Sequence, residues 1–234
     1  MSEIRRLLGM IWEPKPVFQD LAARPRFWVP LILLTVLSVW YVLTFSRVIG
    51  WESFMRQQIE ANPRVQQMSP EQRQQALEGA MKFGVAFGYA GATLGVAIAS
   101  LVISGVLLGV FNALAGAMLT FKKVFSITIY SSVHTVLATI LSVVTMFLKN
   151  PEDFDLQNPL ALNVGAFLDA DATPKWLHSI ATSIDLFNIW VILLLAFGLS
   201  VAAKKVAYSK SVTLVVCCWL VWVLGKAGFA ALGS

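Results

Sequence analysis

Seven glycines lie between Phe83 and Leu119, and all of them fall on one helical stripe. Gly84, Gly88, Gly91, Gly95, Gly105, Gly109 and Gly116 are reached by stepping alternately four and three residues from Gly84, with only Ile98, Val102 and Asn112 interrupting. In a helix surrounded by water each glycine would cost about 1 kcal/mol relative to alanine. In a bilayer the same pattern is favourable. Lipid tails supply no hydrophobic drive between helices, so helices associate by close backbone approach, which small residues permit. The stripe therefore predicts an all-α, polytopic membrane helical bundle and marks a packing face on one of its helices. It identifies no reaction.

The composition agrees. Hydrophobic residues make up 57% of the chain and charged residues 13%, against about 25% charged in soluble domains. Four apolar blocks have membrane-spanning length: Phe27 to Phe45, Ser126 to Leu148, Leu186 to Ala203 and Ser211 to Ala231. The fifth, Phe83 to Leu119, would be about 55 Å long as a helix, against a hydrocarbon core of about 30 Å. It is either one long span or a hairpin of two short ones. Charge decides, because cytoplasmic flanks are rich in Lys and Arg. A single long second span gives five crossings. It puts Arg5, Arg6, Lys15, Arg24 and Arg26 on the same side as the Lys122-Lys123 turn and the Lys204-Lys205-Lys210 turn. The opposite side receives Glu152, Asp153, Asp155, Asp169 and Asp171. No Pro or polar turn signal marks a hairpin near Ala99. The expected topology has a cytoplasmic N-terminus and an external C-terminus. In the first external segment Arg47, Arg56, Arg64, Arg73 and Lys82 alternate with Glu52, Glu60, Glu71 and Glu78, as on a solvated helical surface.

The chain divides into residues 1–26, a cytoplasmic amphipathic segment, and residues 27–231, a five-span membrane domain. Ile4, Leu7, Leu8, Ile11 and Trp12 recur at helical spacing with Arg5 and Arg6 to one side. This predicts a short helix on the inner membrane surface, or else a simple lead-in to the first span. No cleavable signal peptide is expected, since the charged opening leads into an apolar run too long for a signal. Ser69-Pro70-Glu71-Gln72 reads as a capping box with Pro at the first helical position, opening a rod that continues into the second span. Thr173-Pro174 is another helix start. Leu160 to Leu168 is apolar but too short to span, which suits a membrane interface. The adjacent Cys217 and Cys218 form neither a metal spacing nor a CxxC pair and read as buried spectators.

Thr128, Ser132, Thr135, Thr139 and Ser142 form a hydroxyl stripe on the third span at the same four-three spacing. Its simplest use is to pack against the glycine face of the second span, so that Gly91→Leu and Gly95→Leu would disrupt folding or assembly. A wet pathway for a solute is the alternative. His134 is the one histidine inside a span, and an ionisable group there is a functional candidate by default. Residue counting puts it roughly 15–20 Å in depth from Asp185, the nearest acid, at 1.5 Å per residue. A neutral His bonded within the bundle is the expectation, with Asp185 capping the fourth span. Asn112 is placed for one interhelical hydrogen bond, and Lys226 for snorkelling to the outer surface. There is no P-loop, dinucleotide fingerprint, HExxH or GxSxG motif, and no metal-spaced cluster. No cofactor, metal or catalytic residue is expected. The basic residues border spans, where each favours anionic lipid, so nucleic acid is not the expected partner.

Several segments carry a family resemblance. Trp12-Glu13-Pro14-Lys15-Pro16-Val17-Phe18 and Arg24-Pro25-Arg26 precede the first span, and Met68-Ser69-Pro70-Glu71-Gln72-Arg73 precedes the second. Phe125 to Ser132 opens the third, while Asp185 to Trp190 and Leu195 to Ser200 frame the fourth with its glycine. In order and spacing these resemble the Yip domain family, five-span proteins named for binding Ypt/Rab-type GTPases, with many bacterial members. The resemblance covers roughly Leu8 to Phe229 and implies a non-enzymatic protein of the membrane, linked to trafficking or membrane shaping. It places this chain with the bacterial type, in an inner membrane. The long cytosolic N-terminal region with an acidic-aromatic Gly-Pro motif is missing, which argues against a Rab-type GTPase. The partners implied are the lipid bilayer and an unidentified membrane or cytosolic protein.

Overall fold

The structure is a computed structural model that describes residues 1–60, 63–156, 158–169 and 172–232. Asp171, counted above with the external acidic residues, lies outside them. Among the described residues the chain is all-α, with one isolated antiparallel bridge between Asn163 and Asp185. The helices are α1 (Glu3–Trp12), α2 (Pro14–Ala23), α3 (Trp28–Val48), α4 (Trp51–Glu60), α5 (Pro63–Gln66), α6 (Pro70–Ala115), α7 (Phe121–Ser131), α8 (Thr135–Leu148), α9 (Lys175–Ser183), α10 (Leu186–Ala203) and α11 (Tyr208–Leu232). Short 3-10 turns occupy Pro151–Asp153 and Val164–Phe167. Five helical passages are long and apolar enough to cross a membrane: α3, α6, α7 with α8, α10 and α11.

Local chemistry explains the boundaries. The capping box at the start of α6 is formed as its residues dictate. The Gln72 backbone N–H donates to Ser69 Oγ at 3.3 Å, and the Ser69 N–H donates to Gln72 Oε1 at 3.0 Å. From there α6 runs 46 residues without a break, about 69 Å at 1.5 Å per residue. It stops where Gly116 takes φ +57, a left-handed conformation that glycine adopts without penalty. Asn112 then grips the following turn from both sides. Its Nδ2 donates to the Leu119 carbonyl at 3.0 Å, and its Oδ1 accepts from the Leu119 N–H at 2.8 Å. The expected interhelical bond from Asn112 is thus replaced by a bond to its own turn, because two unpaired backbone groups lie within reach.

The third span is interrupted: α7 ends at Ser131 and α8 begins at Thr135. Between them the backbone tightens into a turn over residues 132–134, in which the Ser132, Val133 and Thr135 N–H groups donate to the carbonyls three residues earlier, at 3.2, 3.1 and 3.0 Å.

The chain forms two compact units. The first comprises Met1–Ile32, Ile98–Thr135 and Ala161–Ser234. Here α10 is the hub, packing on α2, α7 and α11, while α9 lies along α11. Phe18, Phe111, Ile127, Tyr130, Ala196 and Leu199 are fully enclosed in its core. The second unit comprises Leu33–Ala97 and Val136–Leu160. Its core is aromatic: Phe45 meets Trp51 and Phe54 edge-on, with ring centroids 5.1 and 5.6 Å apart, beside Met146 and Phe154.

Candidate functional site

The densest polar constellation is built by the N-terminal segment. Residues Glu3 and Arg6 are one helical turn apart on α1, and their side chains pair at 3.0 Å. The turn at Glu13 folds α2 back along α1, bringing Asp20 to the same guanidinium. Arg6 Nε donates to Asp20 Oδ2 at 2.7 Å, and Nη2 lies 2.5 Å from that oxygen. The Tyr130 hydroxyl of α7 donates to Glu3 Oε2 at 2.5 Å, and Arg26 approaches Glu3 at 3.6 Å. One guanidinium, 1% exposed, is thus enclosed by two carboxylates and a phenol. Burial alone would favour the neutral forms of Arg6 and Asp20. Their hydrogen bond and opposite charges outweigh it, holding the Asp20 carboxyl below the usual carboxylate range and the Arg6 guanidinium above its ordinary value.

Apolar contacts complete the clasp. Val17, Phe18 and Leu21 of α2 are wholly enclosed. Phe18 rests on Gly198 of α10 and meets Phe197 edge-on at 5.9 Å. Gly9 of α1 admits Val17, whose Cγ2 would stand 2.8 Å from a Cβ at that glycine.

The residues expected at the membrane surface separate into two groups. Arg5, Trp12, Lys122, Lys204 and Lys205 are exposed, and Lys123 is half-buried. Arg6 is turned inward, and its role as a surface contact is corrected: two carboxylates within hydrogen-bond range outcompete the surface for its charge.

The glycine stripe also divides. Met55 and Trp51 of α4 press onto Gly84 and Gly88 respectively. At Gly91, Gly95, Gly105, Gly109 and Gly116 no described atom lies within 4 Å of where a Cβ would stand. Of the hydroxyl stripe on the third span, Thr128, Ser132 and Thr135 do not cover Gly105, Gly109 or Gly116 within the first unit, and Thr139 and Ser142 do not cover Gly91 or Gly95 within the second. Most of its hydroxyls are spent on their own chain. Thr128 donates to Val124 O, Ser132 to Thr128 O, Thr135 to Ser132 O and Ser142 to Ala138 O, at 3.0, 3.1, 2.6 and 2.8 Å. Thr139 is half-buried on α8. One hydrogen bond that joins α6 to α7 runs from Ser104 Oγ to Thr128 Oγ1, at 3.0 Å, beside the shared core of Leu107, Phe111, Val124 and Ile127.

His134 is fully buried in the turn between α7 and α8. Its Nε2 donates to the Phe187 carbonyl at 3.1 Å, and its ring stacks on Trp190 with centroids 4.7 Å apart. The depth separation from Asp185 is therefore corrected. Ile127 abuts Gly198, and from that register His134 falls beside Phe187 and Trp190, within a turn of Asp185. Residue counting along each span carries no information on the register between α7 and α10, which the contact of Ile127 with Gly198 sets. Asp185 itself caps α10, accepting from the Phe187 and Asn188 N–H groups at 2.8 and 3.2 Å. Lys226 reaches Ser183 Oγ at 3.4 Å. Cys217 is exposed on α11 and Cys218 partly so, which corrects their reading as buried. Among the described residues no three His, Cys, Asp or Glu side chains converge as a metal-binding group.

The clasp, the Gly198 seat, the break in the third span and the fold-back of α4 were not foreseen. The signal for the clasp was present as three ionisable residues, Glu3, Arg6 and Asp20, set among apolar ones.

A family model, the Yip1 domain, matches residues 8–231, nearly the whole chain. No curated protein and no solved structure matches.

Proposed function

The chain belongs to the Yip1 domain family, and we propose on that premise that it acts without enzymatic chemistry, through a membrane or cytosolic protein partner or by organising the bilayer around it. It is an integral, multi-pass membrane protein. We place its N-terminus in the cytoplasm and its C-terminus outside, in a bacterial inner membrane, with residues 1–26 as a surface segment on the five-span domain of residues 27–231. The lysine turns Lys122-Lys123 and Lys204-Lys205 and the exposed Arg5 and Lys15 support that orientation.

The observation that carries the reading is the clasp. The buried ion cluster around Arg6 ties the non-spanning helices α1 and α2 onto α7 and α10. Its charges are satisfied by one another, so it works as a structural joint that presents a fixed surface segment from a membrane framework. The test has two arms. The full-length protein is reconstituted into vesicles and vesicle shape is followed by electron cryomicroscopy. In parallel, crosslinking in native membranes is followed by identification of bound proteins. Deformation of vesicles or reproducible capture of one partner supports the reading. Unchanged vesicles together with no partner above background overturn it.

A further inference from the structure

Along α1 the side chains that face the protein include the charged Arg6, and most of those that face away are apolar. Arg6 and Met10 are 1% exposed, while Ile4, Leu8 and Trp12 are 72%, 58% and 80% exposed. At about 100° per residue, Ile11, Ile4, Leu8 and Trp12 fill a single arc on the side of the helix opposite Arg6 and Met10. For a helix on a water-facing surface this polarity is reversed: a guanidinium is desolvated while an isoleucine, a leucine and a tryptophan are left outside. Residue Arg6 cannot turn outward, because Glu3 and Asp20 hold it. The clasp therefore fixes which side of α1 meets its surroundings.

The charges around this face have one sign in excess. Arg5 stands at the edge of the apolar arc, and Arg5, Lys15, Arg24 and Arg26 are all exposed, against the single exposed carboxylate of Glu13. The face is also continuous with a spanning helix. Glu3 of α1, Arg26, and Trp28 and Val29 of α3 line one hollow, and Trp28 and Ile32 on the first turns of α3 are 66% and 58% exposed. An apolar arc with a cationic border, adjoining a membrane-spanning helix, matches the boundary between headgroups and acyl chains of an anionic leaflet.

We propose that α1 is seated in an anionic phospholipid leaflet through Ile4, Leu8, Ile11 and Trp12, with Arg5, Lys15, Arg24 and Arg26 at the phosphates. This rests on the reading of residues 1–26 as a membrane-surface segment and specifies its partner and its contact face. Arg6 is no part of the lipid contact; it orients the helix.

The test uses the full chain carrying Cys217→Ser and Cys218→Ser, with one spin label at a time at Ile4→Cys, Leu8→Cys, Trp12→Cys or the exposed control Gln19→Cys. Each is reconstituted into vesicles of phosphatidylcholine alone or mixed with phosphatidylglycerol. Collision with oxygen and with a water-soluble nickel chelate gives the depth. Labels at positions 4, 8 and 12 are expected about 5–10 Å below the phosphates, deeper in the anionic vesicles, with the label at position 19 in water. Quenching of Trp12 by brominated lipid, taken as the difference from Trp12→Phe, gives the same depth without a label. Labels at 4, 8 and 12 that meet the chelate as freely as position 19 overturn the proposal. So do labels shielded from both reagents, which signify a protein occupant, or equal depth in the two lipids. A chain whose labels stay in water yet deforms vesicles or captures a partner loses this surface and keeps the wider reading. One whose labels reach the acyl chains, but which does neither, loses the wider reading alone.

Discussion

Phe18 of α2 lies directly on the backbone of Gly198 in α10: a Cβ at that glycine would stand 2.6 Å from the ring and 2.7 Å from Ile127 Cγ2. No real Cβ is accommodated at such distances without movement, and both neighbours are fully enclosed. The N-terminal segment is therefore seated on the fourth span through a space that only glycine leaves open.

Gly198→Ala is expected to destabilise the protein by about 1–3 kcal/mol, the usual range for overpacking a filled core, and Gly198→Val by more. Phe18→Leu in the Gly198→Ala background is expected to return part of the loss. Thermal unfolding in detergent, followed by loss of the monodisperse chromatographic peak, measures both. Additive losses in the double variant would show that ring and glycine do not meet.

Arg6→Gln is expected to cost about 3–5 kcal/mol, because it removes the buried cation shared by Glu3 and Asp20 and leaves them only Arg26 at 3.6 Å and the N-terminal ammonium at 3.4 Å. The Asp20 side chain keeps 21% of its exposure, so the lower end of that range is expected. Glu3→Gln and Asp20→Asn added to an Arg6→Met chain should recover much of the loss, since neither carboxylate is then left without the buried guanidinium.

The same cluster sets a pH dependence. Burial would raise the Asp20 carboxyl, but the hydrogen bond and charge of Arg6 lower it overall. A depressed carboxylate contributes stability that is fully present above the unfolded-state value and is lost as pH falls through the folded one. The melting temperature of the native chain should therefore exceed that of Asp20→Asn at pH 7. The gap should close as pH falls from about 5 to below 3, the region in which ordinary and depressed carboxylates take up protons. A gap constant across that window would show that Asp20 gains nothing from its partners.

Two glycines on one stripe should respond in opposite ways. Gly88→Ala places a methyl against the Trp51 ring and is expected to destabilise the second unit. Gly95→Ala meets no described atom within 4 Å and should be neutral or stabilising by up to about 1 kcal/mol through helix propensity. Comparing the two by thermal unfolding separates a seated glycine from an open one.

The hydroxyls of the third span are expected to be closed to solutes. Thr128 and Ser142 donate to carbonyls of their own helices, and Ser132, in the turn after α7, donates to Thr128 O. In a chain free of Cys217 and Cys218, Thr128→Cys, Thr135→Cys and Ser142→Cys should all resist a polar thiol reagent. Labelling along that row would establish a water-filled path.

Much of this architecture was legible in the residues. Hydropathy marked five passages because a bilayer demands long apolar helices with internally satisfied backbones. Ser69, Pro70 and Gln72 announced the start of α6, and Asp185 that of α10, because caps depend on residues within one turn of each other. The clasp was legible only in part. Arg5 and Arg6 are neighbours with the same charge and look alike in sequence, yet one faces out and the other is enclosed. The difference lies in Asp20 and Tyr130, separated from Arg6 by a chain reversal and by the first two spans respectively. Likewise nothing local told Gly88, beneath Trp51, from Gly95, which is open.

The sequence by itself determined what depends on neighbours along the chain: the helices, their caps, their apolar length and the family to which they belong. Tertiary structure alone decided the pairing of faces: Arg6 inward and Trp12 outward, Phe18 on Gly198, His134 beside Phe187 and Trp190. The physical reason is that a side chain's environment is set by what the fold brings within about 4 Å of it, and residues far apart in sequence supply most of that surrounding.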